Sequence, residues 1–224
     1  MTPEQWAGLT EIDPQTGYKL LKTRFIGKLP KTLSSIVNDA AYNLRSALDH
    51  AVYASVSVIH GGDPTGTKFP FGDTDADLNN DIKRGCRNVP ATILDLIRTF
   101  KPYEAGNPVL WSLNKLRNRK GHKVLVPLGM VGNGGFGSFH VEHGSGETIC
   151  KWDARNNEMI MMRVSPDFKA YGEITTSTSV TLYGVRGFEG IPTVTVLNRF
   201  ESETERVVNA IEAETARLFR LRES

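Results

Sequence analysis

From about Leu33 to His60 the chain contains no Gly or Pro, and Gly61, Gly62 and Pro64 then follow in quick succession. Such a stretch reads as one long helix with a sharp stop, because Gly and Pro are the residues a helix interior tolerates least. A helix of this length needs other elements to cover its apolar side, so the rest of the fold is organised around it. At about 100° per residue, Ile36, Val37, Ala40, Ala41, Leu44, Ala47, Leu48, Ala51, Val52 and Val58 take one side. Asp39, Tyr42, Asn43, Arg45, Ser46, Asp49, His50 and Tyr53 take the other, with no Lys or Glu among them. Tyr, Asn, Ser and His suit directed hydrogen bonding in a half-buried setting better than a solvated face.

Shorter elements flank this helix. Asp13 to Gly17 reads as a turn after an irregular lead, and Tyr18 to Ile26 as a short strand. Residues 61–90 read as a long loop with a short helical piece near Asp77 to Lys83. Pro90 opens a helix over Ala91 to Phe100, and Asn107-Pro108 caps another over Val109 to Arg119. The period then changes: Val124 to Val131, Phe136 to His143, Glu147 to Trp152, Glu158 to Val164 and Gly172 to Gly184 predict strands. Asn133-Gly134-Gly135 and Asp153 to Asn157 predict hairpin turns between them. Pro192 to Leu221 returns to helix, with Leu197, Phe200, Thr204, Val207, Val208, Ile211 and Leu218 on one face.

The expected fold is α+β: a helical bundle of three N-terminal helices and one long C-terminal helix, carrying an inserted antiparallel β-meander. No linker-like stretch interrupts the chain, so residues 1–224 read as a single domain, helical over about 31–122 and 192–221, with the β insertion over about 123–190. Cys86 and Cys150 form no Cys-x-x-Cys pair, which argues against a zinc site or a disulfide scaffold and for a reduced, cytoplasmic protein. No apolar run is long enough for a membrane span, and no signal peptide is evident at the start.

Net charge is +2, with 27 Lys plus Arg against 25 Asp plus Glu, so overall charge selects no partner. Its distribution does. No acidic residue lies between Glu104 and Glu142, and Lys115, Arg117, Arg119, Lys120 and Lys123 crowd one part of that gap with His122 among them. Cations suit a helix C-terminus, but five exceed what the macrodipole uses, and a phosphate-bearing partner explains the excess. On the long helix, Arg45 and Asp49 are spaced to pair. Either they form a structural ion pair beside a core histidine, His50, or the three line a site. Arg is suited to holding phosphate, and His to acid–base chemistry near neutral pH.

The run Asn43-Leu44-Arg45-Ser46-Ala47-Leu48-Asp49-His50 resembles the signature helix of an uncharacterised bacterial family. In that family a Leu-x-x-Leu-x-Asn-x-Asp-Lys-His-Arg segment follows, then strands, then a closing amphipathic helix. Leu113 to Lys123 is similar to this second segment, with Lys120 and Gly121 standing where the family has Asp and Lys. The order of parts matches from about residue 18 to 219, and the resemblance bears on layout more than on activity.

Arg, then four to six residues, then His also resembles the motif of the HEPN superfamily of helical ribonucleases and nucleic-acid-binding domains. Arg45 to His50 fits it, and so does Arg117-Asn118 to His122. The resemblance implies RNA or nucleotide binding, metal-independent RNA cleavage without a cofactor, and a homodimer. It also implies that Arg45 and Arg117 hold the scissile phosphate, that His50 and His122 act as acid or base, and that Asn118 orients them. Lys115, Arg119, Lys120 and Lys123 are then the nucleic-acid-binding cations.

Two other classes compete. One is a non-catalytic, phage- or defence-associated interaction protein in which Arg45, Asp49 and His50 only knit helices together. The other is a metal hydrolase using Asp49, His50 and His122. His140, Glu142 and His143 alternate along a short strand and do not converge as metal ligands. Gly132 to Gly137 reads as a flexible hairpin rather than a phosphate loop, because a strand and not a helix follows it.

Overall fold

The computed structural model describes residues 6–30, 32–62, 64–117, 128–153, 155–182 and 185–223. Within them the protein is α+β, with six strands and five helices. These fall into two compact units, one of strands and one of helices.

The strand unit joins residues 1–31 to residues 128–183 and 190–193. Strands β1 (Trp6–Ile12) and β2 (Lys19–Phe25) form a hairpin in register from Trp6↔Phe25 to Ile12↔Lys19. Its turn is the one expected at Asp13 to Gly17: the Asp13 carboxylate accepts from Gln15 N and Thr16 Oγ1, and Gly17 takes a φ of +69°. The lead expected to be irregular is therefore a strand, because the turn brings it against a partner that completes its hydrogen bonds. After β3 (Leu128–His143) come β4 (Gly146–Asp153), β5 (Glu158–Val164) and β6 (Lys169–Leu182). β1, β2, β5 and β4 make one antiparallel sheet in that order, while β3 and β6 pair separately as a long ribbon. The Asp153 to Asn157 turn forms as expected, with Asn157 at a φ of +53°.

Asn133-Gly134-Gly135 does not turn. It lies inside β3, opposite Ser177, Thr176 and Thr175 of β6. The glycines serve close approach: a Cβ at Gly132 would fall 2.5 Å from the Trp152 ring, and one at Gly134 would fall 2.6 Å from Met161 Sδ. The ribbon thus packs its bare backbone onto the side chains of β4 and β5, a known use of glycine inside a strand. Under it sits the core of Met159, Met161, Met162 and Val164, with Leu21, Phe139, Trp152 and Phe168 packed around them.

The helical unit holds α1 (Thr32–His60), α2 (Asp75–Gly85), α3 (Ala91–Thr99), α4 (Pro108–Arg117) and α5 (Thr193–Glu223, counted here from Val194). Four helices therefore precede β3, the additional one being α2 in the stretch read mainly as loop. Thr74 caps α2, and Asp77 reciprocates through a capping box. Asn107 caps α4 by accepting from Leu110 N at 3.1 Å. The buried seam of α1 is Val37, Ala41, Arg45, Leu48, Val52, Ser55 and Val56. Ile36 and Val58, expected inside, are 58% and 48% exposed. Along α5, Val196, Phe200, Thr204, Val207, Ile211 and Thr215 are buried, close to the face read from the sequence. Thr215 Oγ1 lies 2.8 Å from Ser55 Oγ, which ties α5 to α1.

Candidate functional site

Arg45 interrupts an otherwise small and apolar seam. It follows Ala41 by four residues and precedes Leu48 by three, so helix geometry turns it inward with them. Its side chain is only 6% exposed, and a guanidinium at that depth needs partners on every edge. It has them. Nη1 pairs with Asp49 Oδ2 at 2.7 Å, Nε donates to Asn114 Oδ1 at 3.2 Å, and Nη2 donates to the Phe69 carbonyl at 3.2 Å. The Phe71 ring lies 4.4 Å beneath the guanidinium carbon, a distance at which the ring face attracts a cation.

Asp49 completes the arrangement from the next turn of α1. Its Oδ1 accepts from Phe69 N at 2.9 Å while its Oδ2 holds Arg45. A second carboxylate repeats the pattern: Asp81 of α2 accepts from Phe71 N at 3.2 Å and pairs with Lys68 at 2.6 Å. The short segment Lys68 to Phe71 is therefore held to α1 by Asp49 and to α2 by Asp81. Through Asn114, Arg45 also fixes α4 against α1. The fork of the guanidinium makes these three directions possible at once; a lysine has no such geometry.

The other expected site residues are placed differently. His50 follows Asp49 on the helix but is exposed, so the two side chains meet different surroundings. Lys115 pairs with Asp73 at 2.6 Å and lies 5.5 Å from the centre of the Trp111 ring. Asp73 also accepts from Trp111 Nε1 at 2.8 Å, and the Lys115 bond, followed by that of Trp111, holds its carboxyl below the usual range. Arg117 closes α4 as its last residue. Asn118, Arg119, Lys120, His122 and Lys123 lie outside the described residues, as does the side chain of Arg117.

Arg45 and Asp49 come together, then, with Asn114, Phe69 and Phe71, which the sequence reading did not single out. Asn114 and Phe71 carry no motif of their own. One signal was present: an arginine at seam spacing on a helix has to be met by acceptors from whatever packs over it. The His140 ring lies 5.1 Å from that of Tyr171, tilted by 36°, and His143 lies 3.4 Å from Asp167. Among the described residues no group of three or more His, Cys, Asp or Glu is arranged to hold a metal ion. Cys86 is buried against the Lys68 carbonyl, and burial pushes its thiol up to about 11.

No protein-family model, curated protein or solved structure matches this chain. Among the described residues no helix is long and apolar enough to cross a membrane.

Proposed function

We propose that the protein binds RNA, or a nucleotide-like polyanion, through the basic segment that begins on α4, and that Arg45 and Asp49 act as the scaffold setting α4 in place. The carrying observation is the commitment of Arg45: buried, it pairs with Asp49 and donates to Asn114 and the Phe69 carbonyl. A guanidinium engaged in this way supports a positioning role better than a grip on a scissile phosphate. The cations beyond Lys115 stand in a stretch free of acids, where a polyanion is the natural counter-charge. Reading the helical unit as a HEPN-type bundle is part of this proposal and draws on the α1–α4 contact through Arg45 and Asn114. The second reading, a non-catalytic interaction protein, is favoured by the same buried pair and differs in requiring no nucleic acid.

Fluorescence anisotropy with a short single-stranded RNA separates these readings. Binding at low salt that weakens at least tenfold in Lys120→Glu/Lys123→Glu is expected, a loss of about 1.4 kcal/mol or more. An unchanged affinity in that variant overturns the proposal, and no binding by the native protein favours the interaction protein. Cleavage that survives EDTA and disappears in His50→Ala or His122→Ala would restore the ribonuclease mechanism implied by the HEPN resemblance.

A further inference from the structure

The stretch between Glu104 and Glu142 has no acid in its sequence, yet the fold brings one to its cation Lys115. Trp111 and Lys115 stand four apart on α4 and so share one side of the helix. Asp73 reaches that side from the segment before α2. Its Oδ1 pairs with Lys115 at 2.6 Å and accepts from Trp111 Nε1 at 2.8 Å. The chain is fixed at this point: Gly72 N donates to the Pro102 carbonyl at 3.2 Å, and a Cβ on Gly72 would fall 2.3 Å from Leu78 N. The bond from Lys115, then that from Trp111, holds the Asp73 carboxyl below its usual range, so its charge persists at neutral pH.

A second cation beside α4 is met in the same way. Arg186 stands at the tip of a turn whose Val185 and Phe188 are buried and whose Gly187 takes a φ of +82°. Its side chain is 77% exposed. Ser112 of α4, three residues before Lys115, donates through Oγ to the Arg186 carbonyl at 3.4 Å and sets the turn against the helix. Glu104 pairs with Arg186 at 2.5 Å, and Glu104 N donates to the Asp73 carbonyl at 3.4 Å. Two carboxylates from touching segments thus neutralise two cations at α4. Glu189, in the same turn, accepts from Gly187 N at 2.9 Å. The Lys115 and Asp73 side chains are 46% and 57% exposed, and ion pairs this open add little to stability. They also exchange partners readily.

We infer that Asp73 and Glu104 form an internal acidic cover that competes with RNA phosphates for Lys115 and Arg186. This rests on the RNA-binding reading, adds Arg186 to that surface and assigns its resting charge. A phosphate that takes either cation frees a carboxylate beside the RNA chain, and their repulsion offsets most of the contact. The freed carboxylate gathers a counter-cation in place of the one released, so neither contact adds to the salt dependence while the cover is present.

Asp73→Asn/Glu104→Gln removes the cover and keeps neutral acceptors for Trp111 Nε1 and Arg186. Fluorescence anisotropy with a short single-stranded RNA, from about 50 to 200 mM salt, reads the effect. The variant should bind about tenfold tighter at the low-salt end, about threefold for each uncovered cation. Its logarithmic slope should steepen by about 1.4, and each single variant should give about half of that. Adding Lys115→Gln/Arg186→Gln should abolish both gains. Unchanged affinity and slope on removing the cover, or gains that survive the loss of Lys115 and Arg186, would overturn the inference. The single variants carry the same test one cation at a time, should the double variant fail to fold. A native protein that binds no RNA removes the RNA reading and the cover together. Native binding that weakens in Lys120→Glu/Lys123→Glu, with no gain on removing the cover, refutes the cover alone.

Discussion

Replacing Asp49 with alanine removes two bonds at once. Arg45 loses the carboxylate paired with its Nη1, and the Phe69 N–H loses its acceptor. Breaking a fully buried pair by removing one member costs about 3–5 kcal/mol. The Asp49 side chain is 30% exposed, so water can reach part of the vacated space and the ionic part of the loss lies toward or below the low end. The orphaned Phe69 N–H adds about 1 kcal/mol. The expected total is about 2–4 kcal/mol, or a fall in melting temperature of about 6–12 °C for a domain of this size. Circular dichroism at the helical band during heating and urea unfolding measures it. Asp49→Asn keeps an acceptor for Phe69 N and should lose about half as much. In a cycle with Arg45→Met the coupling should be about 1–3 kcal/mol, as for residues in direct contact. A shift in Asp49→Ala within about 0.5 kcal/mol, the range of an ordinary surface change, would refute the scaffold argument.

Further outcomes follow from other parts of the protein. Gly134→Val drives a side chain into Met161 and should destabilise the strand unit by about 1–3 kcal/mol, the usual range for overpacking, read by near-ultraviolet circular dichroism during urea unfolding. Cys150 is exposed whereas Cys86 is buried with its thiol pushed up to about 11, so a disulfide reagent at pH 8 should label one thiol quickly and the second only on unfolding. Glu158 is buried under Lys22 and Arg24, and its bond to Arg24 first, then that to Lys22, holds its carboxyl below the ordinary range despite burial. A depressed folded-state value stabilises the protein above the unfolded carboxylate's pKa of about 4.3 and loses that contribution as pH falls through the folded value. Urea unfolding from pH 7 to 3 should therefore show acid sensitivity that is reduced in Glu158→Gln.

Much of the fold was legible because periodicity is a direct record of burial. The Gly- and Pro-free run became α1, the seam around Phe200, Val207 and Ile211 became the buried face of α5, and Glu158–Val164 formed the expected strand. Local signals misled where distant packing decided. Gly132 and Gly134 look like turn residues until the Trp152 and Met161 side chains are set against them. Arg45 was assigned to the polar side of α1 by its charge, although its spacing from Ala41 and Leu48 belongs to the seam. The acceptors that admit it, Asn114 and the Phe69 carbonyl, come from segments far along the chain. No pattern local to α1 announces them.

The most direct test of the central claim is the salt dependence of RNA affinity, measured by anisotropy from about 50 to 200 mM salt. If Arg117, Arg119, Lys120 and Lys123 neutralise phosphates, the logarithmic slope should be about −3, at roughly −0.7 for each phosphate of a single strand. Lys120→Gln/Lys123→Gln should reduce its magnitude by about 1.4. A slope near zero, or one left unchanged when those two charges are removed, would contradict the account.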